Sequence, residues 1–337
     1  MRLGRGINKI EKGAFRDCSS LRRVVLPSTL EALVRDAFDE SVDLVVVDDQ
    51  PQDGAFGGSD SLKSDARPKT TDDASQYLTW EITERGARII GCDEEFEGAM
   101  KIPSRLDGAA VVEIGEEAFS KKPSLKSVAI PDSVEVVGEA AFAECGRLQE
   151  LHLGAGIKKI ETAAFSRCQS LKRFAVPDSV EDVGEGAFAW CSGLNELWLG
   201  RGIKKIEEKA FRLCSLKSVA IPGTVEFVGR YAFTECHRLE ELRLGRGIKK
   251  IEKYAFCECS SLKSVELPDS VEVVGERAFK DCLGLEELRL GEGIKKIEKD
   301  AFRNCSSLRR LVLPSTLEAL APDAFDECVD LLVDDER

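Results

Sequence analysis

Cysteine and histidine are the residue types in this chain best suited to metal binding, thiol chemistry or proton transfer. There are twelve cysteines and two histidines in 337 residues. Ten of the cysteines, Cys18, Cys145, Cys168, Cys191, Cys214, Cys236, Cys259, Cys282, Cys305 and Cys328, each stand three residues after a phenylalanine. A metal site needs clustered partner ligands. The ladder offers none, so no metal is expected. Its regular place beside aromatic residues reads as a column of buried thiols packing as small hydrophobes. Cys257, in a C-x-C pair with Cys259, and Cys92 are isolated additions. His152 and His237 occupy different repeat positions and are not expected to pair. The chain holds no G-x-S-x-G, Walker, H-E-x-x-H or kinase signature. With no set of acid, base, nucleophile or metal ligands, neither catalysis nor a cofactor is expected.

Two further patterns mimic ligand sites. Gly-x-Gly recurs, as at Gly154 and Gly156 or Gly245 and Gly247, but without the third glycine and strand-to-helix setting of a dinucleotide loop. It reads as a turn, since glycine permits positive φ. The Lys-Lys pairs look like basic patches until they are aligned. Their first members then share one column that alternates in sign: Glu135, Lys158, Glu181, Lys204, Glu226, Lys249, Glu272, Lys295, Glu318. Opposite charges on adjacent rungs form a solvated structural ladder.

What positions these columns is a repeat. Ala-Phe recurs with its phenylalanine at Phe119, Phe142, Phe165, Phe188, Phe211, Phe233, Phe256, Phe279, Phe302 and Phe325. Every step is 23 residues except that from Phe211 to Phe233, which is 22. Each unit opens on a run such as Leu125, Val128 and Ile130, whose last two residues share one face of a strand. The strand stops at a proline (Pro131, Pro177, Pro222, Pro268) in odd units and at Gly-x-Gly in even ones, so the full period is a pair of units. A second short apolar pair follows, as Val134 and Val137, then a helical turn carrying Ala141-Phe142 and Cys145. One unit cannot bury its own apolar face, but stacked units can.

The pattern L-x-x-V-x-I-P-x-S-V-x-x-I/V-G-x-x-A-F-x-x-C-x-x-L resembles the BspA-like leucine-rich repeat of bacterial and protist surface proteins, over roughly residues 77–337. The resemblance implies a leucine-rich-repeat solenoid with a parallel β-sheet on its concave face and short strands and helical turns on the convex side. It also implies adhesion or ligand binding at the cell surface. No asparagine follows the strand, so Pro-Asp-Ser or Gly-x-Gly must close that turn.

Four regions are expected. Residues 1–49 are an orphan pair of repeats, because Leu3 to Asp49 nearly copies Leu290 to Glu336. Residues 50–76 have linker composition. Residues 77–115 break the period and alternate as a β-hairpin that caps the array. Residues 116–337 are the solenoid and its C-terminal cap. The unpaired start of 1–49 makes self-association through that pair an expectation.

On the exposed side of the first strands one column reads Ala129, His152, Ala175, Trp198, Ala220, Arg243, Glu266, Arg289 and Val312. His152 and Trp198 would stand clear of alanine rungs. Beside it lie Glu150, Arg173, Glu196, Glu241, Glu287 and Arg310. Tryptophan and arginine are enriched at binding hot spots, so His152, Trp198, Arg243, Arg289, Arg173 and Glu196 are the candidate residues for a protein or glycan ligand. A formal net charge of −13 argues against nucleic acid, and no apolar run is long enough to span a membrane. No signal peptide is visible after Met1, and free thiols suit a reducing compartment. An intracellular protein–protein scaffold is therefore the alternative to an adhesin.

Overall fold

The computed structural model describes residues 74–333 and, before them, the backbone of four short strands. It divides into two units, residues 1–61 and 62–337. In the first, Lys9–Ile10 pairs in parallel with Ala32–Leu33, and Arg23–Pro27 with Asp43–Val47. The same registers recur near the other end of the chain, where Lys296 faces Ala319 and Arg310 faces Asp330. The side chains on which self-association through 1–49 would depend lie outside the described residues, as does the expected linker up to residue 73. Residues 74–76 open a 3-10 turn, Ala74–Tyr77.

The second unit is a parallel β-solenoid with almost no helix. Leu78–Thr83 and Gly86–Cys92 form an antiparallel hairpin, and the second of these strands runs parallel to Ala109–Ile114. From there a sheet of thirteen strands continues through the two-residue strands of every coil, from Val136–Val137 to Ala319–Leu320. Its register is one coil per step, as Val137 opposite Ile160 and Ile160 opposite Val183. The first strands of the coils form shorter sheets. One joins Gly98–Lys101, Leu125–Ala129 and Glu150–His152; another runs through six strands from Arg173–Ala175 to Glu287–Arg289. Alternation explains why these segments are strands: Val128, Leu151, Phe174 and Leu197 point inward and are buried, while their neighbours face water.

Between the two sheets runs the core. Ten phenylalanines stack on one another from Phe119 to Phe325, with neighbouring rings 4.8 to 5.4 Å apart and nearly parallel. That separation is close to the strand spacing of about 4.8 Å. Burying each such side chain contributes about 1.5–3 kcal/mol. Phe174 adds an eleventh ring, tilted against Phe165 and Phe188.

The turn that carries Ala-Phe is not helical, contrary to the sequence reading. Ala140 and Glu144 have positive φ, and the same two positions are left-handed in coil after coil. A helix cannot accommodate such residues. Instead the backbone N–H groups alternate in direction. Ala141, Ala143 and Cys145 donate three residues back within their own coil, while Ala140, Phe142 and Glu144 donate to Thr162, Ala164 and Ser166 of the next. Tandem turns thus satisfy the backbone within a coil and between coils together.

Gly-x-Gly also has a different cause from the one its composition suggests. Among the described residues, none of these glycines, from Gly154 and Gly156 to Gly291 and Gly293, has positive φ. They are needed because the preceding coil's backbone lies against them. A Cβ on Gly156 would sit 1.9 Å from the Asp132 carbonyl oxygen, and one on Gly293 would sit 1.7 Å from that of Asp269. The same Asp132 accepts the Ala155 N–H on Oδ1 at 2.8 Å, and Asp178 and Asp269 do likewise for Arg201 and Glu292. Pro-Asp of an odd coil therefore fits Gly-x-Gly of the next even coil, which is the physical basis of the paired period.

Candidate binding face

Eight thiols of the ladder, Cys145 to Cys305, lie buried inside this frame, whereas Cys328 is exposed, contrary to expectation, and Cys18 lies outside the described residues. Each Sγ–H donates to the carbonyl of the phenylalanine in the preceding coil: Cys145 to Phe119 at 3.0 Å, Cys168 to Phe142 at 3.2 Å, and so on to Cys305 with Phe279 at 3.3 Å. The Phe142 carbonyl also accepts the Cys145 N–H. The thiols are thus hydrogen-bonding groups as well as hydrophobes. Burial pushes Cys191 and Cys236 up to about 12, so neither supplies a thiolate nucleophile near neutral pH.

The charge column contacts in twos. Lys158 meets Glu135 at 3.3 Å, Lys204 meets Glu181 at 2.8 Å, Lys249 meets Glu226 at 3.0 Å and Lys295 meets Glu272 at 2.9 Å. All four pairs cross an odd-to-even junction, where Pro-Asp, or Pro222-Gly223 for Glu226 and Lys249, meets Gly-x-Gly. The lysine lowers its partner carboxyl's pKa at Glu135 and Glu181, through a hydrogen bond first and its charge second.

The six candidate residues lie along the first-strand face as a row. Glu196 and Trp198 share the strand Glu196–Trp198, and Arg173 sits opposite Glu196 on the neighbouring strand. Those two are engaged with each other, Nε to Oε1 at 3.6 Å. Arg243 lies two strands further along, beside Glu241 of its own strand at 4.0 Å. Arg289 is two strands beyond that and faces Glu266. His152 is exposed, but its strand is not hydrogen-bonded to that of Arg173, so it stands in a different sheet. Trp198 does not stand clear as expected: it is half-buried beside Ala175. The structure gathers Arg173, Glu196 and Trp198 and leaves the other three spaced along the face.

A second aromatic and basic strip, on the tandem turns, escaped sequence reading. Trp190 is 42% exposed, and the guanidinium groups of Arg167 and Arg212 lie over its ring at 5.4 and 5.7 Å. Tyr231 and Tyr254 stack at 4.8 Å, with Arg277 over Tyr254. These residues belong to successive coils, and no short motif could have linked them. The described surface also has an open groove of about 410 Å³, whose lining includes Lys205, Glu208, Arg230 and Glu252. No described helix is long and apolar enough to cross a membrane.

The chain matches the BspA-type leucine-rich repeat region in six copies, over residues 1–64, 112–240 and 227–333. Among solved structures, it is similar to a leucine-rich cell surface protein from Faecalibacterium prausnitzii, at 22% identity and a TM-score of 0.47, over 77% of this chain and 94% of that one. It is also similar to the leucine-rich repeat protein of T. pallidum, at 24% identity and a TM-score of 0.44, over 71% and 91% of the two chains. A third similar structure is the pneumococcal vaccine antigen PcpA, at 19% identity and a TM-score of 0.49, over 73% and 76%. No curated protein sequence matches the chain.

Proposed function

The chain belongs to the BspA-type leucine-rich-repeat family, and from that premise we propose that it is a non-enzymatic scaffold that binds a protein or glycan ligand through its first-strand face. The observation that carries this reading is the exposed row itself. Arg173, Glu196, Trp198, Arg243 and Arg289 project from four strands of one six-stranded sheet, so their spacing is held by backbone hydrogen bonds. A ligand meeting such a row loses little to ordering the protein. Trp198, half-buried against the sheet with Arg173 and Glu196 beside it, has the character of a hot spot. Adhesion at the cell surface is the role of such a scaffold that the family resemblance supports first.

A second reading, an intracellular protein–protein scaffold, is favoured by the free thiols: eleven cysteines among the described residues are unpaired. Affinity capture with the full chain, alongside a glycan array, tests the shared core of both readings. Trp198→Ala and Arg243→Glu should each lose the captured ligand while the melting temperature holds. A ligand retained by both variants overturns the assignment to this face. Cell fractionation then separates the two compartments.

A further inference from the structure

Because the full period is a pair of coils, each second-strand residue has counterparts two coils away, and one stretch departs from its counterparts at several positions together. Odd coils carry Val136, Asp182 and Val273 on the outward face of the thirteen-stranded sheet, but Phe227 stands there in the remaining one. Two residues further on, Gly115, Gly138, Gly184 and Gly275 are each followed by glutamate, whereas Gly229 is followed by Arg230. Even coils repeat Lys-Ile-Glu, whose ends join across the isoleucine: Lys159 to Glu161 at 2.8 Å, Lys250 to Glu252 at 2.8 Å and Lys296 to Glu298 at 2.7 Å. In the coil before Phe227 that bridge is open. Among the described residues, the side chains of Lys205 and Glu207 have no hydrogen-bond or ion-pair partner. Departures from an otherwise consistent pattern are expected to gather at functional sites.

All of these departures line the open groove of about 410 Å³. Phe227 lies opposite Lys205 on one side and Lys250 on the other. Its ring is half-buried, and among the described residues no other ring and no cation stacks on it. Gly229 lines the groove as bare backbone, since a Cβ there would sit 2.6 Å from the Ile206 carbonyl oxygen. The charges of the lining fall into two sets. Glu208 is held by Lys209 at 2.7 Å and Glu252 by Lys250 at 2.8 Å. Lys205, Glu207 and Arg230 have no ion-pair partner among the described residues. Two free cations against one free carboxylate leave a positive charge in the groove, although the chain as a whole carries a formal net charge of −13.

We propose that this groove binds a carboxylate-bearing sugar, at a site separate from the first-strand face and independent of the reading given for that face. The groove has the size of a small-molecule pocket, and it combines an aromatic surface with a few polar groups. The unpartnered face of Phe227 suits the C–H face of a sugar ring. Lys205 and Arg230 supply charge-assisted hydrogen bonds to a carboxylate. Glu207 accepts hydrogen bonds from hydroxyls. A sugar acid presents all three complements on one ring. A neutral sugar leaves the two cations unmatched. An acidic peptide brings further carboxylates against Glu207, Glu208 and Glu252, and like charges in a groove repel.

The test is saturation-transfer difference NMR on the full chain, titrated with glucuronate and, separately, with N-acetylneuraminate. At least one should bind saturably, and the two titrations separate a uronic from a sialic acid. Glucose and triglutamate, as comparison ligands, should each bind at least about tenfold more weakly. Arg230→Glu and Phe227→Val install residues that the counterpart coils already carry, so both should fold, as the melting temperature reports. Arg230→Glu should weaken binding of the sugar acid by more than about tenfold, and Phe227→Val by about tenfold. Lys205→Ala, at an exposed position whose folding is not at stake, should weaken it in the same direction. No saturable binding of either sugar acid, equal binding of glucose, tighter binding of triglutamate, or wild-type affinity in any of the three variants overturns the proposal.

Discussion

Gly156 lies against Asp132 of the preceding coil, so closely that a Cβ on it would sit 1.9 Å from the Asp132 carbonyl oxygen. The contact is backbone on backbone and cannot be relieved by a rotamer change. Gly156→Ala should therefore destabilise the array by about 1–3 kcal/mol, the range for overpacking. Gly146 is a control, since a Cβ there meets nothing within 4 Å. Urea denaturation should find Gly146→Ala within about 0.5 kcal/mol of wild type. Equal effects at the two sites would refute the interlock between odd and even coils.

Phe211 stacks between Phe188 at 5.4 Å and Phe233 at 5.3 Å and is fully buried. Its coil is also the one shortened by a residue, at Cys214-Ser215-Leu216. Phe211→Ala should cost about 3–5 kcal/mol. Because stability in a solenoid is transmitted through neighbours, hydrogen exchange should show loss of protection in the coils of Phe188 and Phe233 as well.

Ala163 has φ near 53°. In a helix, Ala→Gly costs about 1 kcal/mol. Here the left-handed backbone is the conformation glycine adopts freely, and Gly186 already occupies the equivalent place one coil on, with φ of 59°. Ala163→Gly should leave the denaturation midpoint unchanged or raise it by up to about 1 kcal/mol. A drop of the helical size would restore the helical reading of this turn.

The thiol ladder should make stability fall in alkali. Burial pushes Cys191 and Cys236 from an ordinary 9.0 up to about 12. Above 9 the unfolded thiols lose protons that the folded ones keep, so the unfolded state binds fewer protons and stability declines with pH. The contribution is complete below 9 and is lost progressively up to about 12. A flat denaturation midpoint across that window would contradict it. Thiol reagents should label the buried thiols from Cys145 to Cys305 slowly in the folded chain, the exposed Cys328 readily, and all of them after denaturation.

The 23-residue period, the inward strand positions and the phenylalanine column were legible in the sequence because they depend on residue type at fixed spacing. A stack of identical coils converts any regular column into a ladder, so Phe119 to Phe325 and Glu135 to Lys295 could be aligned without coordinates. Backbone geometry could not be read in this way. Ala-Phe has helical propensity taken alone, yet Phe142 donates its N–H to Ala164 of the next coil, and that bond between coils selects tandem turns over a helix. Gly156 looked like a turn glycine because the backbone of Asp132, 24 positions earlier, is invisible in its local sequence. The same holds for the candidate sites. Trp198 could be placed on the outward column, but its partial burial follows from neighbours above and below. Arg167, Trp190 and Arg212 form no short motif. Only stacking, at about 4.8 Å per coil, brings side chains more than twenty residues apart within reach of one another.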